Sequence, residues 1–127
     1  MKRIATIFAL LIFSTSAIAH DGTPHYVGQK VANSSEAVKS LNSHIEQAQV
    51  ILKKKKLADT DLEKIHEISY SLETASDKLA EEHPNNASID GISEAVQALH
   101  YSSEKHKEKE TREWFKNLVK ANKALKL

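Results

Sequence analysis

Cysteine is absent from the 127 residues. That excludes disulfides, thiol catalysis, iron–sulfur clusters, a covalently attached c-type haem and a lipid-anchoring cysteine. Glycine and proline are scarce, at three and two, and no stretch shows strand-like alternation. An all-helical domain is therefore expected. Neither sign of charge dominates: 18 Lys and Arg face 17 Asp and Glu. Such a balance gives no general affinity for nucleic acid or anionic lipid. Missing too are a serine–histidine–acid motif, a glycine-rich phosphate loop, an HExxH pair and an EF-hand loop. Nothing in the sequence holds a nucleophile beside a base, so a non-enzymatic protein is expected.

No apolar run is long enough to span a bilayer. Ile4 to Phe13, interrupted only by Thr6, follows the basic pair Lys2-Arg3 and precedes a small, mostly polar stretch ending Ala17-Ile18-Ala19. This is the layout of a secretory signal peptide over 1–19, cut after Ala19. The expected product begins at His20 and is periplasmic or secreted, with no integral membrane segment. Its stability must come from the core alone, because disulfides are not available.

What is present is helical periodicity. Residues 20–33 form an extended arm, since Gly22, Pro24 and Gly28 break any period. The apolar arm residues Tyr26, Val27 and Val31 are expected against one end of a helical bundle domain over 34–127. A first helix is predicted from about Ser34 to Lys56, capped by Asn33, Ser34 or Ser35. Val38, Leu41, Ile45, Ala48 and Leu52 form its seam, and Lys53 to Lys56 complement the negative end of its dipole. Thr60 with Glu63 reads as a capping box opening the second helix. Leu62, Ile65, Ile68, Leu72, Ala75 and Leu79 lie along one side of it. The helix stops near Glu82, before His83-Pro84. A third helix from Ser88 or Asp90 carries Ile89, Ile92, Val96 and Leu99. Lys105 to Arg112 is almost wholly charged, either a loop or an exposed helical bridge. Thr111 reads as the cap of a fourth helix with the stripe Trp114, Leu118, Ala121 and Leu125, Phe115 and Val119 beside it. The fold class is all-α: an antiparallel up-down-up-down bundle of four helices, or three with a long last one.

Seven histidines are the distinctive chemistry: His20, His25, His44, His66, His83, His100 and His106. Imidazole binds zinc, copper, nickel and haem iron. Helix rise sorts them by depth. His44 lies about 18 Å from one end of the bundle and His100 about 17 Å from the other, so both fall near the level of Tyr70 and Glu73. His66 and His106 share another level. His66, Tyr70 and Glu73 fall on one flank of the second helix, bordering its seam. These side chains are candidates for a polar pocket or a copper or zinc site. A second candidate is a copper brace made by the α-amine and imidazole of His20 with His25 or His83. Bis-histidine haem ligation, for instance His66 with His106, is a third. The alternative to all of these is an envelope protein-interaction module presenting Lys116, Lys120, Lys123 and Lys126.

Three stretches carry a resemblance: His25-Tyr26-Val27-Gly28, Asp61 to Glu73, and Leu99-His100-Tyr101-Ser102-Ser103-Glu104. In this order they resemble a family of small secreted proteobacterial helical proteins classed as a domain of unknown function. The resemblance covers most of the chain beyond the leader. It implies a signal peptide and a helical domain, with no activity attached. His25, Tyr26, His66, Tyr70, Glu73 and His100 are the positions that coincide with its motifs. The general shape is also similar to cytochrome b-type four-helix bundles, though the only methionine, Met1, goes with the leader.

Overall fold

The computed structural model describes residues 25–127; the expected leader, His20 and the first part of the arm lie outside the described residues. Residues 25–33 run without helix. Four helices follow: α1 Ser34–Leu52, α2 Asp59–Glu82, α3 Ala87–Glu104 and α4 Glu108–Lys123. Each packs on its neighbour in sequence. Contacts at the ends show the alternating direction. The start of α1 meets the end of α2, where Ser34 donates through N–H and hydroxyl to Glu82 and its Oγ lies 2.9 Å from His83 Nε2. The start of α3 meets the residues after α4, where the Asn86 amide donates to the Lys126 carbonyl at 2.7 Å. The bundle is therefore up-down-up-down, with α3 and α4 separate. Among the described residues no helix is long and apolar enough to cross a membrane.

α2 packs against both α1 and α3. Leu62, Ile65, Ile68, Leu72, Ala75 and Leu79 are all buried, together with Ser69, Ser71 and Ser76. Leu41, Ile45 and Ala48 from α1 and Ile89, Ile92, Val96 and Leu99 from α3 close on that side. The serine hydroxyls cost little there, because Ser69 donates to the His66 carbonyl and Ser76 to that of Glu73.

Several ends differ from the sequence reading, each for a local reason. The start of α1 does not: Asn33, one of the three expected caps, accepts from Glu36 N–H at 3.0 Å. α1 stops at Leu52, short of Lys56, because Arg112 reaches across from α4. Its guanidinium donates to the carbonyls of Leu52 and Lys54 at 2.9 and 2.7 Å, satisfying groups that a further helical turn would have satisfied. α2 starts at Asp59, and the carboxylate serving its first turn is Asp61, which accepts from Ala58 N–H at 2.9 Å. Thr60 is not its cap, and Glu63 is engaged elsewhere. α4 begins at Glu108 inside the charged run. Thr111 is not a cap but a buried side chain, donating to the Lys107 carbonyl at 2.8 Å and lying 3.2 Å from Ser102 Oγ. The buried stripe of α4 is accordingly Thr111, Phe115 and Leu118, with Trp114 half-buried at its edge.

The arm does not lie against the end of the bundle. It runs along the flank of α2, with Val27 90% exposed and Tyr26 turned inward. Gly28 permits this course: a Cβ there would overlap Thr74 Oγ1 and the Tyr70 carbonyl. The next residue donates its N–H to Ser71 Oγ at 2.9 Å.

Candidate metal centre

Helix spacing puts Glu63, His66, Tyr70 and Glu73 on one flank of α2, each one turn from the next. α3 runs antiparallel beside it and presents His100 and, four residues on, Glu104. The rings stack into a cluster. His66 and His100 centroids are 4.8 Å apart, and Tyr70 lies 5.3 Å from His66 and 4.7 Å from His100. Tyr26 of the arm closes the other side, edge-on to His66 at 5.5 Å and to Tyr70 at 5.7 Å. His66 thus has no exposed surface. It fills the interior instead of bordering the seam, because the arm and α3 cover the polar flank that α2 alone would show to water.

The hydrogen bonds define which nitrogens are free. His66 Nδ1 lies 3.2 Å from Glu63 Oε1. A carboxylate accepts, so this contact places the ring proton on Nδ1 and leaves a lone pair on Nε2. That Nε2 is buried and has no hydrogen-bond partner. His100 Nδ1 lies 2.8 Å from Glu73 Oε1, close but too poorly aligned for a good hydrogen bond. One ligand atom each from His66, His100 and Glu104 lies within 4.8 Å of the others. Ligands of a tetrahedral ion sit about 3.3 Å apart when metal–nitrogen bonds are about 2.0–2.1 Å. The long, half-buried Glu104 side chain has the freedom to close that gap.

Carboxylates organise the surroundings. Glu63 Oε1 accepts from the Tyr26 hydroxyl at 2.6 Å, and Oε2 lies 3.3 Å from His106 Nε2. Partial burial pushes the Glu63 carboxyl up, but the bonds from Tyr26, His66 and His106 outweigh it and hold the group below its usual range. The same bond, with burial, pushes Tyr26 up to about 12, so its phenol stays a donor. Glu73 raises the pKa of His100 against the opposing effect of burial. Desolvation raises that of Tyr70. An imidazole backed by a carboxylate on one nitrogen and open on the other is the arrangement that orients metal-ligating histidines.

The other histidines divide plainly. His25 joins the edge of the cluster, its Nδ1 3.2 Å from the Tyr70 hydroxyl. His106, in the left-handed region with φ 52, sits on Glu63 and 3.6 Å from Asp59. A carboxylate, not an open slot, stands between His66 and His106, which argues against haem held by that pair. His44, expected at the level of His100, turns back to the carbonyl of Ser40 at 2.7 Å. His83 is tied to Ser34; it follows Tyr70 by thirteen residues, about 20 Å along a helix, so His25 and His83 do not meet. His20 lies outside the described residues. The sequence reading missed Glu104 and the role of Glu63. The signals were the i, i+4 spacing of His100 to Glu104 and the i, i+3 spacing of Glu63 to His66.

No curated protein matches this chain, and no solved structure does. The family comparison matches residues 1–126, almost the entire chain, and the protein belongs to a family of unknown function (DUF6746).

Proposed function

We propose that this is an exported helical bundle that binds one divalent transition-metal ion through His66, His100 and Glu104, without turnover. The observation that carries the reading is the buried His66 Nε2, an acceptor with no partner, on a ring that offers a ligand atom within 4.8 Å of one each from His100 and Glu104. An unpaired buried polar atom costs about 1–3 kcal/mol. A metal ion would remove that cost and use the lone pair. Two imidazoles and a carboxylate, with no sulfur, suit zinc, copper(II) or nickel better than calcium or magnesium, which take oxygen ligands. Tyr70 packs against both histidines and Tyr26 against His66, so rings crowd the ligating groups, which supports binding over catalysis.

The test is equilibrium titration of the purified protein with zinc and with copper, alongside His66→Ala, His100→Ala and Glu104→Gln. The expected result is one ion per chain, with affinity falling at least tenfold in each variant. Equal binding by all four proteins, or none by the wild type, would sink the assignment.

A further inference from the structure

We propose that the arm segment 25–29 is a working part of this metal centre: a latch whose docking on α2 and metal binding at His66 strengthen each other. The inference rests on the metal-binding reading above and adds the element that regulates it.

The arm's contacts fall on the turns of α2 that carry His66 and Tyr70. Tyr26 donates to Glu63, His25 meets the Tyr70 hydroxyl, Gly28 lies against the Tyr70 carbonyl and Thr74, and the Gln29 N–H reaches Ser71. Glu63 is the joint. One oxygen, Oε1, takes both the Tyr26 hydroxyl and the His66 Nδ1 proton. A metal ion on Nε2 would withdraw electron density from the ring and make its Nδ1–H a stronger donor to Glu63. Glu63 would then be held more firmly in the position that Tyr26 needs. In the other direction, a docked Tyr26 keeps Glu63 in place and water away from His66. With the arm released, Glu63 keeps only its longer contacts to His66 and His106 and Nε2 becomes hydrated, so the ion must compete with water.

The arm is also poised to respond. Val27 is 90% exposed, so docking rests on a few hydrogen bonds and ring contacts, not on broad apolar burial. Segments held this way open with free energies well below that of global unfolding. A ligand that favours the docked form shifts such an equilibrium measurably, and the coupling is reciprocal: the factor by which docking raises metal affinity equals the factor by which metal favours docking.

The experiment uses the full secreted chain and zinc as the probe. Amide hydrogen exchange is followed across residues 26–29 with zinc and with chelator, and zinc affinity is measured for wild type, Gly28→Ala and Tyr26→Phe. Zinc is expected to slow exchange of the Gln29 amide about tenfold, and each variant to bind zinc about tenfold more weakly, within the usual range of coupling. Helix content should be unchanged in chelator. Tyr26→Phe keeps the ring and decides the matter should Gly28→Ala fail to fold. Undiminished zinc affinity in variants whose arm amides exchange freely would overturn the latch and leave the metal site standing. Absence of zinc binding by the wild type would overturn both.

Discussion

Replacing His66 by leucine should leave the metal-free protein about as stable as the wild type while abolishing its stabilisation by zinc. His66 is fully buried with Nε2 unpartnered, a cost of about 1–3 kcal/mol that an apolar side chain does not carry. Against this stands the loss of its contact to the Glu63 carboxylate at 3.2 Å, about 1.5–3 kcal/mol for a bond to a charged group. Glu63 keeps Tyr26 and His106, so it is not stranded. Leucine can pack against the Tyr26 and Tyr70 rings, and the two terms cancel to within about 1 kcal/mol, or about 4 °C in melting temperature for a domain this size. With zinc present the two proteins separate. The wild type gains about 2.7 kcal/mol at a free ion concentration one hundred times Kd, while the variant gains almost nothing. Thermal and urea unfolding, each with chelator and with zinc, measure both effects. A His66→Leu protein more than about 2 kcal/mol less stable than wild type in chelator, or one stabilised by zinc as much as wild type, would refute the reasoning.

Three other perturbations test the scaffold. Leu72→Ala removes a side chain with no exposed surface from the middle of α2 and should cost about 2–5 kcal/mol in urea unfolding. Arg112→Ala strands the carbonyls of Leu52 and Lys54 at the end of α1; a loss of about 1–2 kcal/mol is expected, with faster amide exchange confined to the last turn of α1. Glu108 accepts from Leu57 N–H and from Arg112, and these bonds lower its pKa in the fold. Its contribution is therefore present above the unfolded glutamate value near 4.5 and lost as pH falls through the lower folded value. Glu108→Gln should flatten that part of the stability–pH curve.

The bundle was legible because its information is local. The stripe from Leu62 to Leu79 and the stop at Pro84 each depend on neighbours within a few residues. The metal centre was only half legible for the opposite reason. Periodicity along α2 marks which side is apolar; it does not say that Tyr26, 37 residues before Glu63, will fold back onto that carboxylate and cover His66. His44 shows the limit of depth matching. It lies beside Ile68 and Ser71 of α2, but its ring is bonded to its own Ser40 carbonyl, away from the His66–His100 cluster. Thr60 and Thr111 looked like caps, yet each helix begins before its threonine, and Thr111 is taken up by Ser102 and Lys107. Glu104 was hidden at the edge of a charged run that reads as solvated surface.

Anomalous diffraction at the zinc edge from crystals grown with one equivalent of zinc addresses the assignment directly. The account predicts a single strong peak about 2.0–2.1 Å from His66 Nε2, with a His100 nitrogen and a Glu104 oxygen completing the contacts. A peak at His83, His44 or the chain terminus, with His66 Nε2 still bare, would contradict it.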